Sequence, residues 1–197
     1  MHSKNLIKEI VATAATPQFK RAGYKKAGYT WRKPTEELTR VANIQLSSGN
    51  TYASSRFTLN LGVCHLGFRE FLGLGEPSKA IKESDCRPRL RIGALMNAGD
   101  FWWEVTSDSD VQTVAEAVGQ KIRDLALPWL ESLSNLHDIH TASVDRRDFY
   151  NAGVTGTMLG LDSVPDLMRQ AVETIRPDNA RYADSIVEWC RERGIEI

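Results

Sequence analysis

Cysteine is scarce in this chain of 197 residues, which holds three, Cys64, Cys86 and Cys190, at wide and irregular spacing. An odd number so placed argues against a disulfide framework and predicts a reducing compartment, the cytoplasm. Long apolar runs are missing too. None approaches the roughly 18 residues a membrane span needs. The opening MHSKNLIKEIVATAA has lysines and a glutamate where a secretory leader would be apolar, so neither a leader nor a membrane association is expected. Net charge is also absent, because 25 basic residues offset 25 acidic ones. The cancellation hides a segregation. Residues 1–107 hold 16 basic against 9 acidic side chains, and residues 108–197 hold 9 against 16. Either the acidic half lies near the basic half and neutralises it, or the protein shows a two-signed surface to a charged partner.

Motifs that carry chemistry are equally sparse. No serine sits in a GxSxG elbow, and the GLGEPSK run lacks the spacing and strand context of a phosphate loop. Cys64, His65 and Cys86 do not have zinc-ligand spacing, nor do His137 and His140 around Asp138. A buried cysteine is ordinarily a small hydrophobe. The expectation is no metal, no cofactor and no catalytic residue.

What is present is alternation. In FTLNLGV, Phe57, Leu59, Leu61 and Val63 fall on one side of a period-two ribbon and Thr58, Asn60 and Gly62 on the other. FWWEV places Phe101, Trp103 and Val105 together and leaves Trp102 and Glu104 opposite, while RLRIG separates Leu90 and Ile92 from Arg89 and Arg91. With YTWRK and LTRVANIQL, these runs predict about five strands. Strands in succession without intervening helices imply an antiparallel meander. Residues 4–15 repeat apolar positions at helical spacing, and Pro17 is expected to close that helix or bound its last turn. A second, long helix follows from Ser109 along Val111, Val114, Val118, Ile122 and Leu125, with a kink or break expected near Leu127 because Pro128 removes a donor. Beyond Leu133 the chain reads as helical. Ser163 is the expected cap of one helix and Asp178 or Asn179 that of the last, and Ala152, Gly156 and Gly160 at every fourth position would let a neighbouring helix approach. The fold class is thus α+β: an antiparallel sheet packed by an N-terminal helix and a long helix after the last strand, with an all-helical C-terminal extension. Residues 1–134 form the sheet domain and 135–197 the extension.

The order of motifs, GYKKAGYTWRK after a first helix, then FTLNLGV, CRPRLRIG, WW and a long helix containing LPWL, resembles the family called domain of unknown function 4304 over residues 4 to about 133. The resemblance implies a small bacterial α+β domain and brings no activity, cofactor or site residue. Members of such families often sit near toxin and immunity genes, which suggests, by association alone, an immunity-like or partner-binding role.

Two surfaces stand out. The polar side of the ribbon gathers Asn43, Gln45, Asn60, Arg89, Arg91, Trp102 and Glu104, a set that suits a protein hot spot or a planar anionic ligand. Its plain alternative is a face that is solvated or covered by the 65–88 insertion, with Arg91 paired to Glu104 across strands. The other surface is basic and aromatic. Lys20, Arg21, Tyr24, Lys25, Lys26, Arg32 and Lys33 are interleaved with Phe19, Tyr29 and Trp31, the composition that single-stranded nucleic acid binding uses. Its alternative is a helix end followed by an edge strand protected by lysines. The reading taken is a non-enzymatic module that binds a protein partner through the polar sheet face. The alternatives are nucleic-acid binding through 19–33, and a small-molecule-binding protein or enzyme with the 65–88 insertion as its lid.

Overall fold

The computed structural model describes residues 3–75 and 80–197, so residues 76–79, part of the expected lid and of the GLGEPSK run, lie outside the described residues. The chain divides into two compact units. The first holds residues 1–66 and 76–132, and the second holds 67–75 and 133–197. No helix among the described residues is long and apolar enough to cross a membrane.

The first unit begins with α1 (Ser3–Ile10), a π turn (Val11–Ala15) and α2 (Thr16–Arg21). Of the two outcomes expected at Pro17, closure does not occur, and the proline stands at the start of the last stretch, α2. Its ring would meet the carbonyl of residue 13, four positions back. That residue is the middle of the π turn, where Thr16 N–H reaches five residues back to Val11 O and its hydroxyl donates to the same oxygen at 2.7 Å. The wider turn makes room for the ring, and the helix continues. Pro128 meets the same solution. A π turn at Ile122–Ala126, centred on residue 124, joins α5 (Val111–Lys121) to α6 (Leu127–Ser132). The interruption expected near Leu127 is therefore a change of helical pitch.

Six strands form one antiparallel sheet: β1 (Lys25–Ala27), β2 (Thr30–Pro34), β3 (Leu38–Leu46), β4 (Ser54–His65), β5 (Arg89–Arg91) and β6 (Trp103–Thr106). The first four run as a meander. β5 and β6 both pair with β4, at Asn60–Gly62 and Ser54–Phe57 respectively, on the edge opposite β3. The sixth strand is β1, three exposed residues too short to show alternation. The run RLRIGAL is strand only to Arg91 and then turns into α4 (Ile92–Leu95).

The inward face follows the alternation. Phe57, Leu59, Leu61 and Val63 are buried together with Trp31, Ala42, Ile44, Leu90, Trp103 and Val105. α1 and α6 lie against β4, and α5 packs on α1 and the first π turn. Burying a side chain such as Leu59 or Leu61 stabilises the fold by about 1.5–3 kcal/mol each.

The outward face departs from expectation, because Thr58, Asn60, Gly62 and Cys64 are buried as well. The cover is local chain. Cys86 packs with Val41 and Cys64 beside Ile81, and a Cβ on Gly62 would come within 2.5 Å of Cys86 Cβ. Only a residue without a side chain lets the Ile81–Cys86 segment approach so closely. Further along β4, Thr58 Oγ1 donates to the Phe101 carbonyl at 2.9 Å.

In the second unit, α3 (Leu66–Phe71) supplies Phe68 to a core built with α8 (Phe149–Leu159), α9 (Val164–Ile175) and α10 (Ala180–Glu192), and α7 (Leu136–Asp145) packs on α8. The insertion is thus no single lid: one part joins the helices and another covers the sheet. Close approach occurs at α8 as its small residues suggest. Gly156 admits Val164 and His140, and Gly153 admits Met168. Asn179 caps α10 by accepting from Tyr182 N–H at 3.1 Å, whereas Ser163 precedes α9 with helical dihedrals and makes no side-chain cap bond.

Candidate functional site

Four residues of the polar face meet in one bonded cluster. Asn60, on the middle of β4, donates from Nδ2 to Gln45 Oε1 at 2.9 Å across the β3–β4 pair. Arg91, opposite Asn60 in the β4–β5 register, donates from Nε to Asn60 Oδ1 at 3.4 Å and from Nη2 to Gln45 Oε1 at 3.5 Å. Its Nη1 pairs with Asp100, and its guanidinium stacks 5.0 Å from the Trp102 ring centroid. Trp102 Nε1 donates to the other oxygen of Asp100 at 3.0 Å. Trp102 is half-buried.

Asp100 was not among the residues singled out from sequence, and it is the one that ties the cluster together. It arrives through a close contact in the backbone. Gly93, in α4, has no Cβ, and one placed there would stand 2.2 Å from the Gly99 carbonyl oxygen and 2.8 Å from the Phe101 amide. Met96 and Ala98 N–H groups both donate to the Gly93 carbonyl, folding residues 93–99 into a tight loop that returns Asp100 to Arg91. The signal in sequence was the pair of glycines at 93 and 99, six apart around Asn97. The Trp102 indole and the Arg91 guanidinium hold the Asp100 carboxyl below its ordinary range, so it is an anion at neutral pH and a brace for Arg91.

The cluster opens on a cavity of about 390 Å³ that Glu83, Arg89 and Leu90 also line. Two residues of the expected set belong neither to the cluster nor to the cavity lining. Asn43 sits opposite Asn60 in register but donates to Thr30 Oγ1 at 2.9 Å. Glu104 accepts from Ser54 Oγ at 2.7 Å and stands opposite Arg56. The pair expected between Arg91 and Glu104 is replaced by Arg91–Asp100, because β5 and β6 pair with different stretches of β4.

The basic and aromatic segment is arranged otherwise. Phe19, Tyr24 and Trp31 are buried, and Phe19 makes ring contacts with the other two at 5.4 Å and 5.0 Å. Tyr24 is therefore corrected from a stacking residue to a core residue, because its ring face is spent inside the unit. Its hydroxyl donates to Glu131 at 3.0 Å, and burial followed by the Glu131 charge pushes the phenol's pKa up. Lys33 also bonds Glu131, and Arg32 Nε donates to the Ile81 carbonyl. Lys20, Arg21, Lys25 and Lys26 remain exposed. The ion pairs among the described residues that join the basic and acidic sequence halves are Lys33 and Arg40 with Glu131. Contact neutralisation between the halves is thus centred on one carboxylate.

Among the described residues, no group of three or more His, Cys, Asp or Glu side chains gathers to hold a metal. His140 Nδ1 is instead 3.0 Å from the Ala152 carbonyl. The three free thiols are buried, and burial raises the pKa values of Cys86 and Cys190. A thiol reagent at neutral pH is therefore expected to leave the native protein unmodified while the urea-unfolded chain takes up three equivalents. Rapid labelling of Cys86 in the native state would mean that the Ile81–Cys86 cover opens freely.

No curated protein and no solved structure matches the chain. A family model does, over residues 15–132, which runs from the end of the first π turn to the end of α6, takes in the sheet and α3, and leaves out α7–α10. The six-stranded sheet carrying the Arg91–Asp100–Trp102 cluster lies within that span, and the chain accordingly belongs to the domain of unknown function family DUF4304.

Proposed function

We propose that this protein is a binding module that docks a protein partner on the patch formed by Gln45, Arg89, Arg91, Asp100 and Trp102. The observation that carries the reading is the Arg91–Asp100–Trp102 unit, an arginine and a tryptophan held in one geometry at the surface by a shared carboxylate. Arg and Trp are the residue types that most often dominate interface energetics, and fixing them beforehand removes the entropy cost of ordering them on binding. Asn60, buried beneath, supports the patch from below. An immunity-like neutraliser of a bacterial protein is one concrete form of the reading, and the buried free thiols support a cytoplasmic setting.

The test is a partner recovered with the full-length protein and then challenged with Arg91→Ala and Trp102→Ala. Each is expected to weaken the complex by about 2 kcal/mol or more, roughly thirtyfold in Kd, while Lys8→Ala, at an exposed position of α1, leaves it unchanged. Equal affinity for all four proteins would eliminate the patch as the interface.

The nucleic-acid reading keeps its exposed lysines and loses its stacking platform, since the three rings nearest them are core. Any such binding would rest on phosphate contacts alone and fall steeply with salt.

A further inference from the structure

The outer face of the sheet is basic, although the chain as a whole carries no net charge. Across the strand registers Lys25, Arg32, Val41, Gly62 and Arg89 stand in one row, Asn60 faces Arg91 in the next, and Arg56 faces Glu104. The strands thus place Lys25, Arg32, Arg56, Arg89 and Arg91 on this face against the single carboxylate of Glu104. Among the described residues, the one ion pair these cations make is Arg91 with Asp100. Arg56 is close enough for its charge to act on the same Asp100. Glu104 is bonded to Ser54, and Glu83, the other carboxylate lining the Arg91 cavity, makes no ion pair among the described residues.

Taking the Arg91 patch as the docking surface, we infer that its partner presents an extended acidic segment, one carboxylate of which enters the cavity and pairs with Arg89 beside Arg91. Charge selects the sign of the occupant. Arg91 is already held by Asp100, by Gln45 and by Asn60, which is 8% exposed and lines the same cavity, whereas Arg89 lines it with no counter-ion. A guanidinium in that state gains a two-pronged, charge-assisted bond from an entering carboxylate. Spacing selects the form of the occupant. Arg89 and Arg91 leave the same face of β5 two residues apart, about 7 Å, and alternate side chains of an extended segment repeat at the same interval. A protein is favoured over a nucleic acid by Trp102, the one ring among the patch residues, because its face carries the Arg91 guanidinium where a base would stack.

The experiment titrates the full-length protein with two capped peptides, pentaglutamate and pentaglutamine, and follows the Trp102 indole ¹⁵N–¹H signal, which is the one missing from Trp102→Phe. A saturating shift is expected with pentaglutamate and none with pentaglutamine. Raising the salt from about 50 to about 200 mM should weaken the pentaglutamate complex severalfold. Arg89→Gln, at an exposed position, should weaken it about tenfold, while Lys8→Gln removes the same charge from an exposed position of α1 and leaves it unchanged. No saturable shift with pentaglutamate, or equal affinity in Arg89→Gln, overturns the acidic occupant and leaves the patch to be judged by the partner it recovers. Tighter binding of pentathymidylate than of pentaglutamate at equal salt overturns it in favour of a nucleic acid. A recovered partner whose affinity is untouched by Arg91→Ala and Trp102→Ala removes the docking surface, and the acidic occupant with it.

Discussion

Gly93→Ala is expected to destabilise the sheet unit by about 3–5 kcal/mol and to dissolve the Arg91 cluster with it. A methyl group at this position would lie 2.2 Å from one backbone oxygen and 2.8 Å from a backbone nitrogen, neither of which can swing aside as a flexible side chain could. Relief requires the whole 99–101 segment to move outward. That movement carries Asp100 away from Arg91 and Trp102, and it also strains the bond from Thr58 to the Phe101 carbonyl. Urea unfolding followed by tryptophan emission reports the stability loss, and a change in emission before unfolding reports the loosened Trp102. A loss below about 1 kcal/mol would show that the segment can retreat cheaply, and that the close approach does not hold the site in place.

The next largest effect is expected at Arg40, a charged residue only 5% exposed on the inner side of β3. Its Nε donates to the Leu130 carbonyl at 2.7 Å, near the end of α6, and lies 3.9 Å from Glu131. The guanidinium thus fastens the last helix of the unit to the middle of the sheet. Arg40→Ala should cost about 3–4 kcal/mol, because it leaves a cavity, an unpaired carbonyl and a carboxylate with one cation fewer. Arg40→Met fills the space without the bonds and should cost about half as much. Lys33→Ala removes a partner from the same Glu131 at a position one-third exposed, where solvent screens the charges, and should cost less than about 1 kcal/mol. Equal losses for Arg40→Ala and Lys33→Ala in chemical denaturation would mean that burial adds nothing to the Arg40 contact.

Much of the fold was legible in the alternation of β3, β4 and β6, because a period of two needs only one apolar face to declare itself. β1 was not counted among the five strands and entered only through the lysine-protected edge strand of the alternative for 19–33, since three exposed residues, Lys25, Lys26 and Ala27, have no buried face to reveal them. The prolines were read as disturbances, and at Pro17 closure of the helix and a bound on its last turn were both left open. Sequence marks the missing donor, while whether the helix stops or widens by one residue depends on what the next turn can pack against. Four members of the Arg91 cluster were visible as polar residues at alternate strand positions. Asn43 and Glu104 satisfied the same rule and bond elsewhere, because parity names the face of a strand and says nothing of the neighbour it meets there.

By itself the sequence determined the α+β class, the inward face of the sheet, the helical character of residues 136–192 and the family to which residues 15–132 belong. These properties depend on local periodicity and on the order of elements, both of which are written along the chain. Tertiary structure alone decided that Asp100 braces Arg91, that Ile81–Cys86 covers the outer face at Val41, Gly62 and Cys64, that α3 joins the C-terminal helices, and that Trp31 is buried with an unanswered donor. Each of these is a meeting of residues whose positions are fixed by loops. A loop's path is selected by close backbone approaches, at Gly62 and Gly93 in this protein, and such approaches leave no periodic trace.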